Sequence, residues 1–157
     1  MKIKKLLTIG LSLSIFIASC PISVNALDKI ESIKGADKYE TAGIIADKQS
    51  YTTAILINAD STMADGLSAS GLAGATNAPI LLTKKNNIPN ATLKRVEKAK
   101  KVYIIGGESS IDKATETFLK DKGIETRRLQ GNDRIKTSYN VAKEINSINK
   151  VNKVILT

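Results

Sequence analysis

Three carboxylates stand where the side chains of an open α/β sheet could do chemistry. Asp60, Asp65 and Glu108 lie at or near the ends of two continuous apolar runs, and such sheets bind ligands beside the carboxyl ends of their strands. A pair of carboxylates at this edge could hold Mg²⁺ or transfer protons. Asp65 also has a simpler interpretation, because the helix dipole favours an acid near a helix N-terminus.

The residue types that most catalytic sites require are missing. The chain has no histidine and a single cysteine, Cys20. This composition excludes Ser-His and Cys-His catalysis as well as histidine metal sites. No pair of a nucleophile and a base can be proposed, so we expect a protein that is not an enzyme, with no catalytic residue, metal or cofactor.

A glycine pair offers a different kind of site. Gly106-Gly107 joins a predicted strand to a predicted helix, where exposed backbone N–H groups could hold a phosphate. The segment lacks the lysine of a P-loop and the glycine spacing of a dinucleotide site. A tight turn that requires glycine is the simpler interpretation, and an anion-binding loop is the alternative.

Basic residues are the candidates for contact with an anionic polymer. Arginine binds phosphate through a planar fork, and lysine binds it as a point charge. A solvated charged surface explains each single residue at least as well. The candidates are Lys84, Lys85, Arg127, Arg128 and Arg134.

These residues are positioned by strands that alternate with helices. Continuous apolar runs predict buried strands at residues 53–59, 79–82 and 101–107, with a more polar strand at 126–131 and an alternating edge strand at 29–34. Helices are predicted at residues 39–49, 63–76, 89–98 and 112–122. This alternation is typical of an α/β fold with a parallel sheet.

One strand stands out by its composition. Pro79-Ile80-Leu81-Leu82 has no polar alternation, so we predict that it is covered on both faces in the middle of the sheet. Proline cannot donate a hydrogen bond to a neighbouring strand, and Pro79 is therefore expected at the first position.

An internal repeat divides the chain. Residues 33–46 align without gaps on residues 129–142, and with a short insertion the run 54–56 aligns on 154–156. We predict a complete repeat at 27–125 and the start of a second, truncated repeat at 126–157. Asp37 is placed to cap the first helix of the complete repeat.

The N-terminus has the features of a secretory signal peptide. Residues 1–26 combine three early lysines, an apolar run at 6–18 and the small-residue site Val24-Asn25-Ala26. The apolar run is too short for an integral membrane span. The alternative is a lipobox at residues 17–20, in which Cys20 would be lipidated.

Removal of residues 1–26 has consequences for the exported chain. It takes away three lysines and lowers the formal net charge from +9 to +6. A secreted basic protein meets the anionic polymers of a cell envelope first, so we expect no nucleic acid partner.

Four segments together resemble the cell wall binding repeat 2 family of secreted cell-wall and surface-layer proteins of Gram-positive bacteria. They are residues 35–42, 63–69, 79–82 and 104–107, the last followed by Ile111. The resemblance implies a three-layer Rossmann-like or Toprim-like parallel sheet with flanking helices. It also implies non-covalent attachment to an anionic secondary polymer of the cell wall, at the cell surface.

Members of this family usually carry three repeats in a threefold assembly. The resemblance therefore implies association with other copies of the repeat, for example as a homotrimer. It makes Pro79, Ile80, Leu81 and Leu82 candidates for a module interface, with Lys84 and Lys85 just beyond them. Two alternatives stay open: an amidase-type wall hydrolase that lacks its catalytic domain, and a non-functional remnant.

Overall fold

The computed structural model describes residues 31–60 and 64–150, and the described residues from Ser32 onward belong to one compact unit. The predicted signal peptide at 1–26 and the run at 154–156 lie outside the described residues. Among the described helices, none is long and apolar enough to cross a membrane.

Helices and strands alternate along this unit. The elements are α1 (Lys38–Ala46), β1 (Thr53–Asn58), α2 (Ala64–Thr76), β2 (Ile80–Thr83), α3 (Asn90–Val96), β3 (Lys101–Ile105), α4 (Lys113–Asp121), β4 (Glu125–Leu129) and α5 (Arg134–Ile148). Strand β4 runs across the predicted repeat boundary between residues 125 and 126, and that boundary stays a prediction.

The four strands form one parallel sheet in the order β2-β1-β3-β4. At its carboxyl end, Ile57 of β1 lies level with Leu82 of β2 and with Ile105 of β3. Strands β1 and β3 are almost fully buried, as expected for central strands that helices cover on both faces.

Two apolar clusters make the fold a three-layer structure. On one face, Ala46 of α1, Val96 of α3 and Leu119 of α4 pack against the sheet. On the other face, Leu72 of α2 and Val141 of α5 do so. The predicted three-layer α/β fold with a parallel sheet and flanking helices is confirmed.

The position predicted for the proline-led strand is wrong. Strand β2 is an edge of the sheet, Leu81 is buried, and Ile80 and Leu82 are half-buried. Pro79 precedes the strand, and its carbonyl accepts a hydrogen bond of 2.9 Å from the N–H of Ile55. Helices on both faces explain the apolar run, because they cover an edge strand as well as a central one.

The strand predicted at residues 29–34 is also wrong for the part of it that the structure describes. Residues 31–34 form no strand. This segment instead contacts the first turn of α1, where the N–H of Gly35 donates a 3.0 Å hydrogen bond to Oγ1 of Thr41.

The two aligned repeat segments begin with the same local structure. Asp37 and Asp133 are N-caps in extended conformation, and each side chain accepts a hydrogen bond from the N–H three residues later. Thr137 Oγ1 accepts from the N–H of Gly131 at 3.0 Å, as Thr41 does from Gly35. The cap predicted at Asp37 is confirmed.

An ion-pair network ties α1 to α3. Arg95 on α3 is almost buried, and its Nη2 lies 3.0 Å from Glu40 and 2.6 Å from Asp47 on α1. A Cβ atom at Gly43 would lie 2.8 Å from Cζ of Arg95. Gly43 thus leaves room for the guanidinium between the two carboxylates.

Candidate functional site

The carboxyl edge of the sheet carries Asp60, the first of the acids singled out by sequence. Its Oδ1 accepts hydrogen bonds of 2.8 Å from Lys38 Nζ and from Tyr39 Oη. These two hydrogen bonds, the lysine's first, lower the pKa of Asp60 below its ordinary value. Asp60 is therefore held ionised in an ion pair, which is a poor state for a general acid.

The crevice where the strand order reverses lies between β1 and β3, and open α/β sheets usually bind ligands there. In this protein Asn58, the last residue of β1, bridges it. Its Nδ2 donates a 2.7 Å hydrogen bond to the carbonyl of Ser110, and its Oδ1 accepts one of 2.8 Å from the N–H of Asp60. Sequence reasoning missed this residue, which appears there only as the last position of an apolar run.

The glycine turn follows β3. Gly106 has a φ of 109°, a conformation that strains other residues, and its N–H donates to the carbonyl of Leu129. The N–H groups of Ser110 and Ile111 both donate to the carbonyl of Gly107. The turn thus uses these amides internally, and anion binding by Gly106 and Gly107 stays a prediction.

Among the described side chains, no other acid joins Asp60 in a metal site. Glu108 is exposed on the glycine turn, and the side chain of Asp65 lies outside what the structure describes. Within residues 31–60 and 66–150, no group of three or more acidic, histidine or cysteine side chains could hold a metal ion.

Lys84 and Lys85 are exposed at the carboxyl end of β2. The ammonium of Lys84 lies 5.9 Å from the centre of the Tyr39 ring. The carbonyl of Lys85 accepts a 2.8 Å hydrogen bond from the N–H of Asp112, which ties this loop to the start of α4. Strand β2 is thus followed directly by two solvent-facing lysines.

Arg128 is placed differently from the other basic candidates. Its side chain is 8% exposed and pairs with Glu116 at 2.9 Å, while Nη1 donates to the carbonyls of Gly106 and Ile111. Burial alone would raise the pKa of Glu116, but hydrogen bonds from Lys120, Arg128 and Lys113 lower it to about 2. Arg128 therefore joins β4 to α4 inside the domain.

Arg127 points to the opposite face and lines a groove. Its Nη2 lies 2.5 Å from Oε2 of Glu144 on α5, whose Oε1 accepts a hydrogen bond from Tyr103. A groove of about 340 Å³ lies here between β4 and α5, and the residues that line it include Arg127, Gln130, Asn140, Lys143, Glu144 and Ser147. Arg134 is exposed in the first turn of α5.

Most of the carboxylates that the structure describes are engaged in ion pairs. They are Glu40, Asp47, Asp60, Glu97, Glu116, Glu125 and Glu144. Fold and site therefore define a three-layer α/β module with internally paired acids and a surplus of outward-facing cations.

This chain belongs to the Cell wall binding domain 2 (CWB2) family, whose sequence model matches residues 32–116. The prediction from the four sequence segments is thus confirmed. The match includes the edge strand β2, the glycine turn and the first turn of α4.

Two curated relatives come from Bacillus subtilis (strain 168). The N-acetylmuramoyl-L-alanine amidase LytC is 33% identical over 127 residues, which are 78% of this chain and 25% of the relative. The protein called Amidase enhancer is 36% identical over 120 residues, which are 74% of this chain and 17% of the relative. The chain therefore spans a quarter or less of the length of these relatives.

Solved structures show the same fold. Cwp6 from Clostridium difficile superimposes with a TM-score of 0.70 at 29% identity, over 82% of this chain and 22% of that one. Cwp8 from Clostridium difficile gives 0.67 at 32% identity, over 71% of this chain and 21% of that one.

Proposed function

We propose that this protein is a non-covalent cell wall binding module that attaches to an anionic secondary polymer of the wall. The observation that carries the proposal is the family match over residues 32–116. Export through residues 1–26 and a location at the cell surface are parts of the same proposal, as is association with other copies of the repeat, for example in a homotrimer.

The distribution of charge supports an anionic ligand. The acids of the domain are largely paired internally, whereas Lys85 and Arg134 are exposed and their side chains have no partner among the described residues. Such cations can neutralise phosphate or carboxylate groups at little desolvation cost, and salt weakens contacts of this kind. The side chain of Arg128 is buried and holds β4 to α4. The other candidate cations face solvent, and they are Lys84, Lys85, Arg127 and Arg134.

The test is retention of the mature protein on purified Gram-positive cell walls. We expect binding at low salt, weaker binding as salt is raised, and loss of binding after acid has stripped the anionic polymer. Equal retention on stripped and intact walls would contradict the proposal. Sizing the chain with and without released polymer tests the assembly, because a homotrimer predicts three times the monomer mass.

An amidase-type fragment is the second candidate, favoured by the similarity to LytC. A chain with amidase activity of its own would clear a wall-containing gel, whereas a fragment that lacks its catalytic domain would leave the gel intact. We prefer the binding module, since the whole chain lacks histidine and Asp60 is held in an ion pair. A non-functional remnant predicts failure to fold or to be exported.

A further inference from the structure

Helix α5 carries a stripe of polar and aromatic side chains along one side. Lys136, Tyr139, Asn140, Lys143 and Ser147 follow the spacing at which helical residues stack above one another. The ammonium groups of Lys136 and Lys143 lie 4.4 Å and 5.9 Å from the centre of the Tyr139 ring. Tyr139 is 54% exposed, so this ring and its two cations face solvent together.

Strand β4 supplies the opposite wall of the groove beside this stripe. Arg127 is held there by the buried carboxylate of Glu144, which Tyr103 also fixes, yet about half of the arginine side chain stays exposed. The Nδ2 of Asn140 donates a 2.7 Å hydrogen bond to the carbonyl of Gln130. The groove therefore has a positioned guanidinium on the β4 wall, and Lys143 lines the α5 wall.

The same positions of the aligned helix α1 have a different role, because there they pack against another helix. Lys136 aligns with Glu40, Tyr139 with Gly43 and Lys143 with Asp47. In α1 these three positions surround Arg95. Two lysines and a tyrosine at the same positions would repel and block such an arginine. The change converts an internal packing face into an exposed cationic one.

We propose that the groove between β4 and α5, together with Lys136 and Tyr139 beside it, binds an anionic carbohydrate polymer. Arg127 and Lys143 take its phosphate or carboxylate groups, because a fork and a point charge from opposite walls suit a charged group between them. The exposed Tyr139 ring packs against the apolar face of a sugar. The proposal rests on the proposed function and assigns its ligand to this surface.

The test compares two double variants with the same change in net charge. Lys136→Gln with Lys143→Gln removes one cation that lines the groove and one beside it, and Lys94→Gln with Lys100→Gln removes two exposed cations elsewhere. All four side chains are exposed, so we expect both double variants to have the same unfolding temperature as the parent protein. At low salt the groove variant should bind walls about tenfold more weakly, which corresponds to about 1.4 kcal/mol, and the control should bind like the parent.

The outcomes separate this site from the proposed function. If the parent binds only intact walls and both double variants bind them as tightly as the parent does, the proposed groove is not the binding site, and the proposed function stands. Failure of the parent to bind any wall removes the function, and the groove is then tested with inorganic polyphosphate as probe and neutral dextran as control. NMR chemical-shift changes of the backbone amides centred on Arg127 and Lys143 would support binding in the groove. Changes centred on Lys84 and Lys85 would overturn it.

Discussion

Helices α1 and α5 come from aligned sequence and begin in the same way, but they bury different sides. In α1 the buried residues are Tyr39, Gly43 and Ala46. In α5 they are Thr137, Val141 and Glu144. The positions aligned with the buried side of α1 include Ile135 and Tyr139, which are 76% and 54% exposed.

The reverse also holds, because Ile45 of α1 aligns with the buried Val141 and is 54% exposed. The cap sequence therefore determines where the helix starts but not which side becomes core. Place in the chain decides that. Helix α1 precedes β1 and packs with α3 and α4 on one face of the sheet, whereas α5 follows β4 and packs with α2 on the other.

Exchange of the aligned residues at the centre of each helix should give the largest effect. Gly43→Tyr would force Arg95 away from Glu40 and Asp47, and we expect a loss of about 3 kcal/mol in the free energy of unfolding. The opposite exchange, Tyr139→Gly, should cost only about 1 kcal/mol, since it lowers helix propensity and removes contacts of a half-exposed ring with two lysines. Urea unfolding measures both, and equal losses would show that the two helices do not differ in this way.

Removal of the caps should have a smaller effect that is the same for both helices. Asp37→Ala and Asp133→Ala each delete one side-chain hydrogen bond to a backbone N–H, at a cost of about 1 kcal/mol. Asp112→Ala is the matched control, because Asp112 precedes α4 without such a bond. Thermal unfolding distinguishes the three, and a clear difference between the first two would mean that the shared cap geometry does not carry shared energy.

Acid should produce the smallest difference. Hydrogen bonds from Arg95 and then Lys98 lower the pKa of Asp47 below its ordinary value of 3.8. A carboxylate with a lowered pKa stabilises the fold above its unfolded pKa, and this stabilisation is lost as pH falls through the folded pKa. Asp47→Asn should therefore destabilise the protein at pH 7 by less than about 1 kcal/mol, given its partial exposure.

The difference between parent and Asp47→Asn should shrink when unfolding is followed from pH 7 to below pH 4. Lys143→Gln, at the aligned position of α5, should leave the pH dependence of the parent unchanged, since this substitution removes no carboxylate. A constant difference for Asp47→Asn across this range would argue against the ion pair with Arg95.

Much of the fold could be predicted from hydrophobic pattern. Strands β1 and β3 are continuous apolar runs because helices cover them on both faces, and Gly106 marks a turn because its positive φ suits glycine. The edge position of β2 could not be read in this way, since an apolar run reports cover by helices and not the number of neighbouring strands. The site was harder, because nothing local separates the buried Arg128 from the half-exposed Arg127.

The sequence by itself determined the family, the three-layer class of fold and the starts of α1 and α5, because these follow from local hydrogen bonds and from short-range apolar patterns. Only the tertiary structure decided which side of each helix is core, which acids pair with which cations, and that Arg127 and Lys143 line the same groove. Those features depend on the face of the sheet to which each crossover carries the chain, and residues distant in sequence meet only there.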